Sequence, residues 1–143
     1  MITVFIDTSV LLAACRSRSS VSAVIFGYSR RKRIKAIISH HVISEIKRNA
    51  EEKLDQQGKR RLNFYLLQTN LIIVADPTIE ERISLKGIIP NKDVPILAAA
   101  IKNKANFLIT YDKKNFFQPK VLKIVKPMTI VTPRHFVKKV MKF

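Results

Sequence analysis

Hydrophobic positions along this chain follow two rhythms. Short, unbroken apolar runs rich in Ile, Val and Phe span Ile2 to Ile6, Lys35 to Ile38, Leu71 to Val74, Phe107 to Ile109 and Met128 to Val131. Their length and β-branched content predict buried strands. Between them the apolar residues recur at three- and four-residue spacing. In SSVSAVIFGYSRRKR the stripe Val21, Val24, Ile25 and Tyr28 ends in a basic cluster suited to a helix C-terminus. HHVISEIKRNAEEKL sets Val42, Ile43 and Ile46 on one face, and KRRLNFYLLQ forms another helical segment after Gly58. DVPILAAAIKNK is strongly helical, with Pro95 tolerable in the first turn, and TPRHFVKKVMKF offers Thr132 as N-cap and Pro133 at the first helical position. Strands alternating with helices predict an α/β fold with a parallel sheet covered on both faces. No repeat, low-complexity stretch or linker interrupts the pattern, so residues 1–143 read as a single domain.

Charge changes this picture more than overall composition does. Twenty-seven Lys and Arg stand against ten Asp and Glu, a formal net charge of +17 in 143 residues. Such a balance favours a polyanionic partner, nucleic acid first. The single cysteine, Cys15, cannot close an internal disulfide. No basic segment precedes the first apolar run and Asp7 interrupts it, so no secretory signal is expected and the predicted compartment is the reducing cytoplasm. No apolar run approaches the ~18 residues of a membrane-spanning helix, so no membrane partner is expected. Three glycines (Gly27, Gly58, Gly87) cannot build a phosphate-cradling loop, which excludes P-loop and dinucleotide enzymes. His40, His41 and His135 form no metal-binding motif and read as ordinary residues, His40 or His41 at most touching a substrate.

The scarce acids are placed unevenly. In parallel α/β sheets, ligand sites lie beyond the carboxyl ends of the strands. Asp7 directly continues the run ITVFI, and Asp112 follows the run in ANFLITYDKKNF. Asp93 opens the DVPILAAAIK helix, and Glu45 lies in the first turns of the helix after Lys35 to Ile38. Four of the ten acids can therefore meet at one sheet edge. Taken singly, Asp93 can cap a helix, Asp112 can start a turn, and Glu45 can pair with Arg48 or Asn49 on a solvated face. Asp7 is the hardest to explain this way, because burying a carboxylate is costly without partners. Taken together, four close anions raise one another's pKa and call for a shared cation. An all-oxygen donor set suits Mg²⁺ or Mn²⁺ rather than Zn²⁺. Two other readings compete. A non-catalytic nucleic-acid-binding domain shares the charge but has no need of the acids. An aspartate-pocket phosphotransfer protein usually carries a doubled acid or D-x-D after its first strand, where this chain has DTSV.

The segments FIDTSVLLAA, SEI, KDVPILAAAIKNKANFLITYDKKNF and IVTPRHFV resemble, in order and spacing across essentially the whole chain, the PIN-domain nucleases. The resemblance implies a three-layer α/β/α sandwich around a parallel, PIN-like sheet. It also implies Mg²⁺- or Mn²⁺-dependent cleavage of single-stranded or structured RNA, frequent homodimers and, for many members, a role as toxin with an antitoxin protein as partner. Carried over by position, Asp7, Glu45, Asp93 and Asp112 form the catalytic, metal-holding quartet, with the hydroxyls of Thr8 and Thr110 in support. Asn115 stands where some relatives carry an acid, a departure that leaves open whether one or two ions bind. The implied chemistry is in-line attack of activated water on a phosphodiester. Basic clusters at Arg16 and Arg18, at Arg30 to Lys35 (with Arg31, Lys32 and Arg33), at Lys59 to Arg61, and at Lys113 and Lys114 are expected to track the phosphate backbone. Tyr111 or Phe116 is expected to stack an unpaired base, although Phe116 and Phe117 also suit core plugs.

Overall fold

The computed structural model describes residues 1–142. All five predicted strands form: β1 (Thr3–Ile6), β2 (Lys35–Ser39), β3 (Ile72–Val74), β4 (Phe107–Ile109) and β5 (Thr129–Val131). They make one sheet in the order β3-β2-β1-β4-β5, every neighbouring pair parallel. The chain runs outward from β1 to β3 and then crosses back to β4 and β5. The order therefore reverses between β1 and β4, where the crevice of an open α/β sheet opens. Ile6 pairs with Ile109, so both strands end level at that point.

Helices fill the crossovers: α1 (Thr8–Arg16) and α2 (Val21–Arg30) after β1, α3 (His40–Lys53) and α4 (Gln56–Gln68) after β2. After β3 come α5 (Ile79–Ile83) and α6 (Val94–Lys102), and after β4 come α7 (Lys113–Phe116) and α8 (Pro119–Ile124). Right-handed crossovers set the first four on one face and the later ones on the other, giving the α/β/α sandwich. Ser20 and Ser39 cap α2 and α3 by accepting the Ala23 and Val42 amides. The segment after Gly58 belongs to a longer helix that starts at Gln56, because Asp55 accepts the Gly58 amide and caps it two residues earlier. Thr132 caps α9 (Pro133–His135) as expected, but the backbone then widens into a π-helical turn over Phe136–Val140. Phe143, the end of the helix expected there, lies outside the described residues.

TSVLLAACR, for which no element is predicted above, forms α1, with Thr8, Val10, Leu11, Ala14 and Cys15 all buried. Packing corrects one expectation. Leu71 to Val74 reads as a buried strand, but β3 is an edge strand whose Ile72 and Ile73 are exposed. β1, at the centre, has Val4, Phe5 and Ile6 fully buried. Burying each such side chain is worth about 1.5–3 kcal/mol, which anchors the strand that delivers Asp7. Among the described residues no single helix is long and apolar enough to cross a membrane; α1 and α2, the most apolar pair, meet at 102°.

Candidate active site

Asp7 leaves β1 without leaving the sheet's hydrogen bonding, since its amide donates to Ile109 O at 3.1 Å. Its carbonyl then accepts from the Val10 and Leu11 amides and starts α1, so backbone rather than side chain opens the helix. The freed carboxylate is received by two hydroxyls. Thr110 Oγ1 donates to Asp7 Oδ2 at 2.7 Å and Ser9 Oγ donates to the same oxygen at 2.8 Å. Each hydroxyl in turn accepts a loop amide, Asp112 N–H at Thr110 and Tyr111 N–H at Ser9. Two short relays thus tie the turn after β4 to the carboxylate at the end of β1. Burial pushes the Asp7 carboxyl above its ordinary value, outweighing the two hydroxyls that lower it, and nearby Glu45 raises it further.

Glu45 does not pair with Arg48 or Asn49. Its Oε1 accepts from Thr8 Oγ1 at 2.7 Å and lies 3.5 Å from His41 Nε2, one turn back on α3. His41 is fixed from behind, its amide donating to Asp76 Oδ1 at 2.8 Å. Asp112 does serve as a cap: Oδ1 accepts the Asn115 amide and Oδ2 accepts Asn115 Nδ2 at 3.0 Å. The cap also orients the carboxylate, and Asn115 acts as its clamp.

Asp93 differs from the other three. It stands at the N-cap of α6, after a 3₁₀ turn over Asn91–Asp93, yet makes no side-chain capping bond. Its Oδ2 is buried and has no hydrogen-bond partner. Its pKa is pushed up to about 6, first by burial and then by the charges of Asp112, Asp7 and Glu45, against a lowering by Lys92. All three other acids thus act on Asp93 through space. None of the four forms an ion pair with Lys or Arg among the described residues, despite the +17 charge. The side chains are not closed into a coordination shell: among the described residues no group of three or more His, Cys, Asp or Glu is arranged to hold a metal ion. The donor set still fits one. It is all oxygen, mutually repelling, and includes a buried oxygen that nothing satisfies.

The basic clusters separate by position. Lys113 and Lys114 open α7 beside Asp112, at the edge where the acids lie. Arg31, Lys32 and Arg33 immediately precede β2 and so lie at the opposite, amino end of the parallel strands. Arg31 and Arg33 sit over the Tyr28 ring, 5.7 and 5.2 Å from its centroid. Arg16 ends α1, where its carbonyl and that of Cys15 accept from Arg61; Arg18 borders a groove with Phe26, Arg30 and Phe64. Phe116 is buried in the core and unavailable for base stacking. Tyr111 is exposed, its hydroxyl 2.8 Å from Ser22 Oγ. Sequence reasoning missed Ser9 and His41. Ser9 was visible as the third residue of DTS, but its role depends on a partner strand 102 residues away.

A PIN domain family model matches residues 3–114. The chain belongs to the PIN domain family. Several solved structures share the PIN architecture at low identity. VapBC2 from Rickettsia felis, bound to a DNA fragment from its promoter, matches with TM-score 0.65 and 19% identity over 92% of this chain and 98% of that one. PAE2754 from Pyrobaculum aerophilum matches with TM-score 0.64 and 17% identity, over 99% and 91% of the two chains. Mycobacterium tuberculosis VapC20, a sarcin–ricin loop cleaving toxin, matches with TM-score 0.58 and 13% identity over 78% and 91%. No curated protein matches the sequence significantly.

Proposed function

We propose that this PIN domain is a Mg²⁺- or Mn²⁺-dependent endoribonuclease that hydrolyses RNA phosphodiesters at the edge formed by Asp7, Glu45, Asp93 and Asp112. The observation that carries the reading is the half-buried Asp93, whose Oδ2 is enclosed without a partner and whose carboxyl feels the charges of three further acids. An unsatisfied buried polar group costs about 1–3 kcal/mol, and more when charged. A plain helix cap would have spent that oxygen on an amide of α6; a cation site keeps it open.

When bound, the divalent ion supplies Lewis acidity for the attacking water and neutralises charge on the scissile phosphate. The chain's own residues do the positioning. Asp7 is held by Ser9 and Thr110, Glu45 by Thr8 and His41, and Asp112 by Asn115, so three of the four carboxylates have their orientation set before any ligand arrives. Lys113 and Lys114 lie where they can hold the phosphates that flank the cut. Similarity in fold to VapBC2 and VapC20 supports a further step in the reading: a toxin with an antitoxin protein as partner. The same proposal has it act as a homodimer in the cytoplasm. Purified protein is expected to cleave an unstructured RNA with Mg²⁺ or Mn²⁺, to stop in EDTA, and to melt at higher temperature with Mn²⁺ than without it. Undiminished cleavage in chelator would overturn the mechanism.

A further inference from the structure

Beside the acids, starting at Lys113, a groove of about 1100 Å³ runs along β5, lined by five consecutive residues, Met128 to Thr132, and flanked by Phe117, Leu122, Lys126 and His135. β5 is an edge strand, and its ladder to β4 decides which backbone groups face the groove. The Thr129 amide donates to Asn106 O and the Val131 carbonyl accepts from Thr110 N–H, so Thr129 and Val131 turn their polar atoms toward β4. Ile130, between them, turns its N–H and C=O outward. The Thr132 amide, next in the alternation, likewise has no partner among the described residues. The result is an unpaired strand edge with alternating donors and acceptors at the floor of a trough with apolar flanks, where Ile130 is 4% exposed, of the kind a further strand can extend.

We propose that this groove is a docking site for an acidic, extended peptide segment of a partner protein, which joins the sheet as a sixth strand beyond β5. Charge selects the occupant. Residues 113–143 contain eight lysines, one arginine and no Asp or Glu. Lys113, Lys126 and His135 lie on the groove itself, and Arg134 and Lys139 line an adjoining hollow. The same stretch of a second copy of this chain has no carboxylate side chain to set against these cations. The phosphates of a nucleic acid only accept hydrogen bonds and present no regular row of donors and acceptors to match the strand edge. An extended peptide answers both groups, and acidic residues on it meet the lysines at the rim.

The proposal is independent of the cleavage chemistry and is tested in EDTA with the ¹⁵N-labelled full chain. Three probes are compared: the capped peptide EVDVEIDV, the equally charged EPDPEPDP, whose prolines cannot sustain a ladder, and octauridylate. The expected result is that EVDVEIDV alone slows hydrogen exchange of the Ile130 and Thr132 amides by at least tenfold. Lys126→Glu is expected to weaken that peptide at least fivefold while leaving the melting temperature unchanged. Equal effects of the two peptides, protection by octauridylate instead, or no protection at these two amides would each overturn the assignment.

Discussion

The two ends of the same five strands carry opposite charge, and their side chains are handled in opposite ways. At the carboxyl end lie Asp7, Glu45, Asp76, Asp93 and Asp112, half the acids of the chain. At the amino end, Arg31, Lys32, Arg33 and Lys35 lead into β2, and Lys104 precedes β4. Two cations of that end, Arg31 and Arg33, lie over the Tyr28 ring, a use that stabilises the fold without any ligand. The acids of the other end are oriented by hydroxyls, an amide side chain and a histidine but are never neutralised by Lys or Arg among the described residues. A chain with so many cations makes no Lys or Arg ion pair with these acids among the described residues. The difference between charge that is consumed by the fold and charge that is held ready separates scaffold from site.

Substitutions at the two ends test that difference most strongly. Asp7→Asn, Glu45→Gln, Asp93→Asn and Asp112→Asn are each expected to lower RNA cleavage by at least 100-fold, as loss of a group acting on the transition state does. Arg31→Ala and Arg33→Ala are expected to leave cleavage within about threefold. Rate measurements on one unstructured RNA check both, and a comparable loss from the arginine variants would erase the distinction. A smaller effect concerns orientation. Thr110→Val keeps the shape but removes the hydroxyl that both donates to Asp7 and accepts the Asp112 amide. Hydrogen bonds to a charged group contribute about 1.5–3 kcal/mol, so urea denaturation should show a loss of about 2 kcal/mol. An unchanged midpoint would mean that the relay positions nothing.

The held charge also has a pH signature. With its folded-state pKa near 6, above the ordinary carboxylate value of 3.8, Asp93 binds its proton more tightly in the folded than in the unfolded chain. Its contribution to stability is present below about pH 4 and is lost as pH rises toward 6. In EDTA, Asp93→Asn should therefore gain stability relative to the parent between pH 4 and pH 7; a constant difference across that range would place Asp93 in ordinary solvent. The smallest effect belongs to the amino end. Lys32, Asn70 and Lys104 all occupy left-handed backbone (φ 59°, 60° and 52°) where helices turn into strands. Glycine adopts that conformation without strain, so Lys104→Gly should stabilise by up to about 1 kcal/mol, read as a rise in melting temperature with cleavage unaltered.

Much of this molecule could be read from local pattern. The five apolar runs became the five strands, and the stripes beginning at Val21 and Val42 became α2 and α3, because period and capping residues act over a few positions. The placement of Asp7 and Asp112 was legible for the same reason: a carboxylate that follows an apolar run must emerge at a strand end. Asp112 with Asn115 is likewise a three-residue matter. Local pattern failed where neighbouring strands decide burial: nothing in Leu71 to Val74 tells an edge strand from a central one.

Tertiary structure alone decided which charges belong together. The bond from Thr110 to Asp7 spans 103 residues, and Thr8 reaches Glu45 across 37. Strand order placed β4 against β1 and thereby brought both aspartate-bearing turns to one crevice, while the same order sent Arg31, Lys32 and Arg33 to the far end. It also left the Ile130 N–H and C=O on the unpaired side of β5. Sequence by itself determined the elements and the chemical groups at their ends, since those follow from short-range sterics and apolar periodicity. Pairing of the strands determined the site, since Coulomb and hydrogen-bond interactions depend on distances through space that neighbours along the chain do not set.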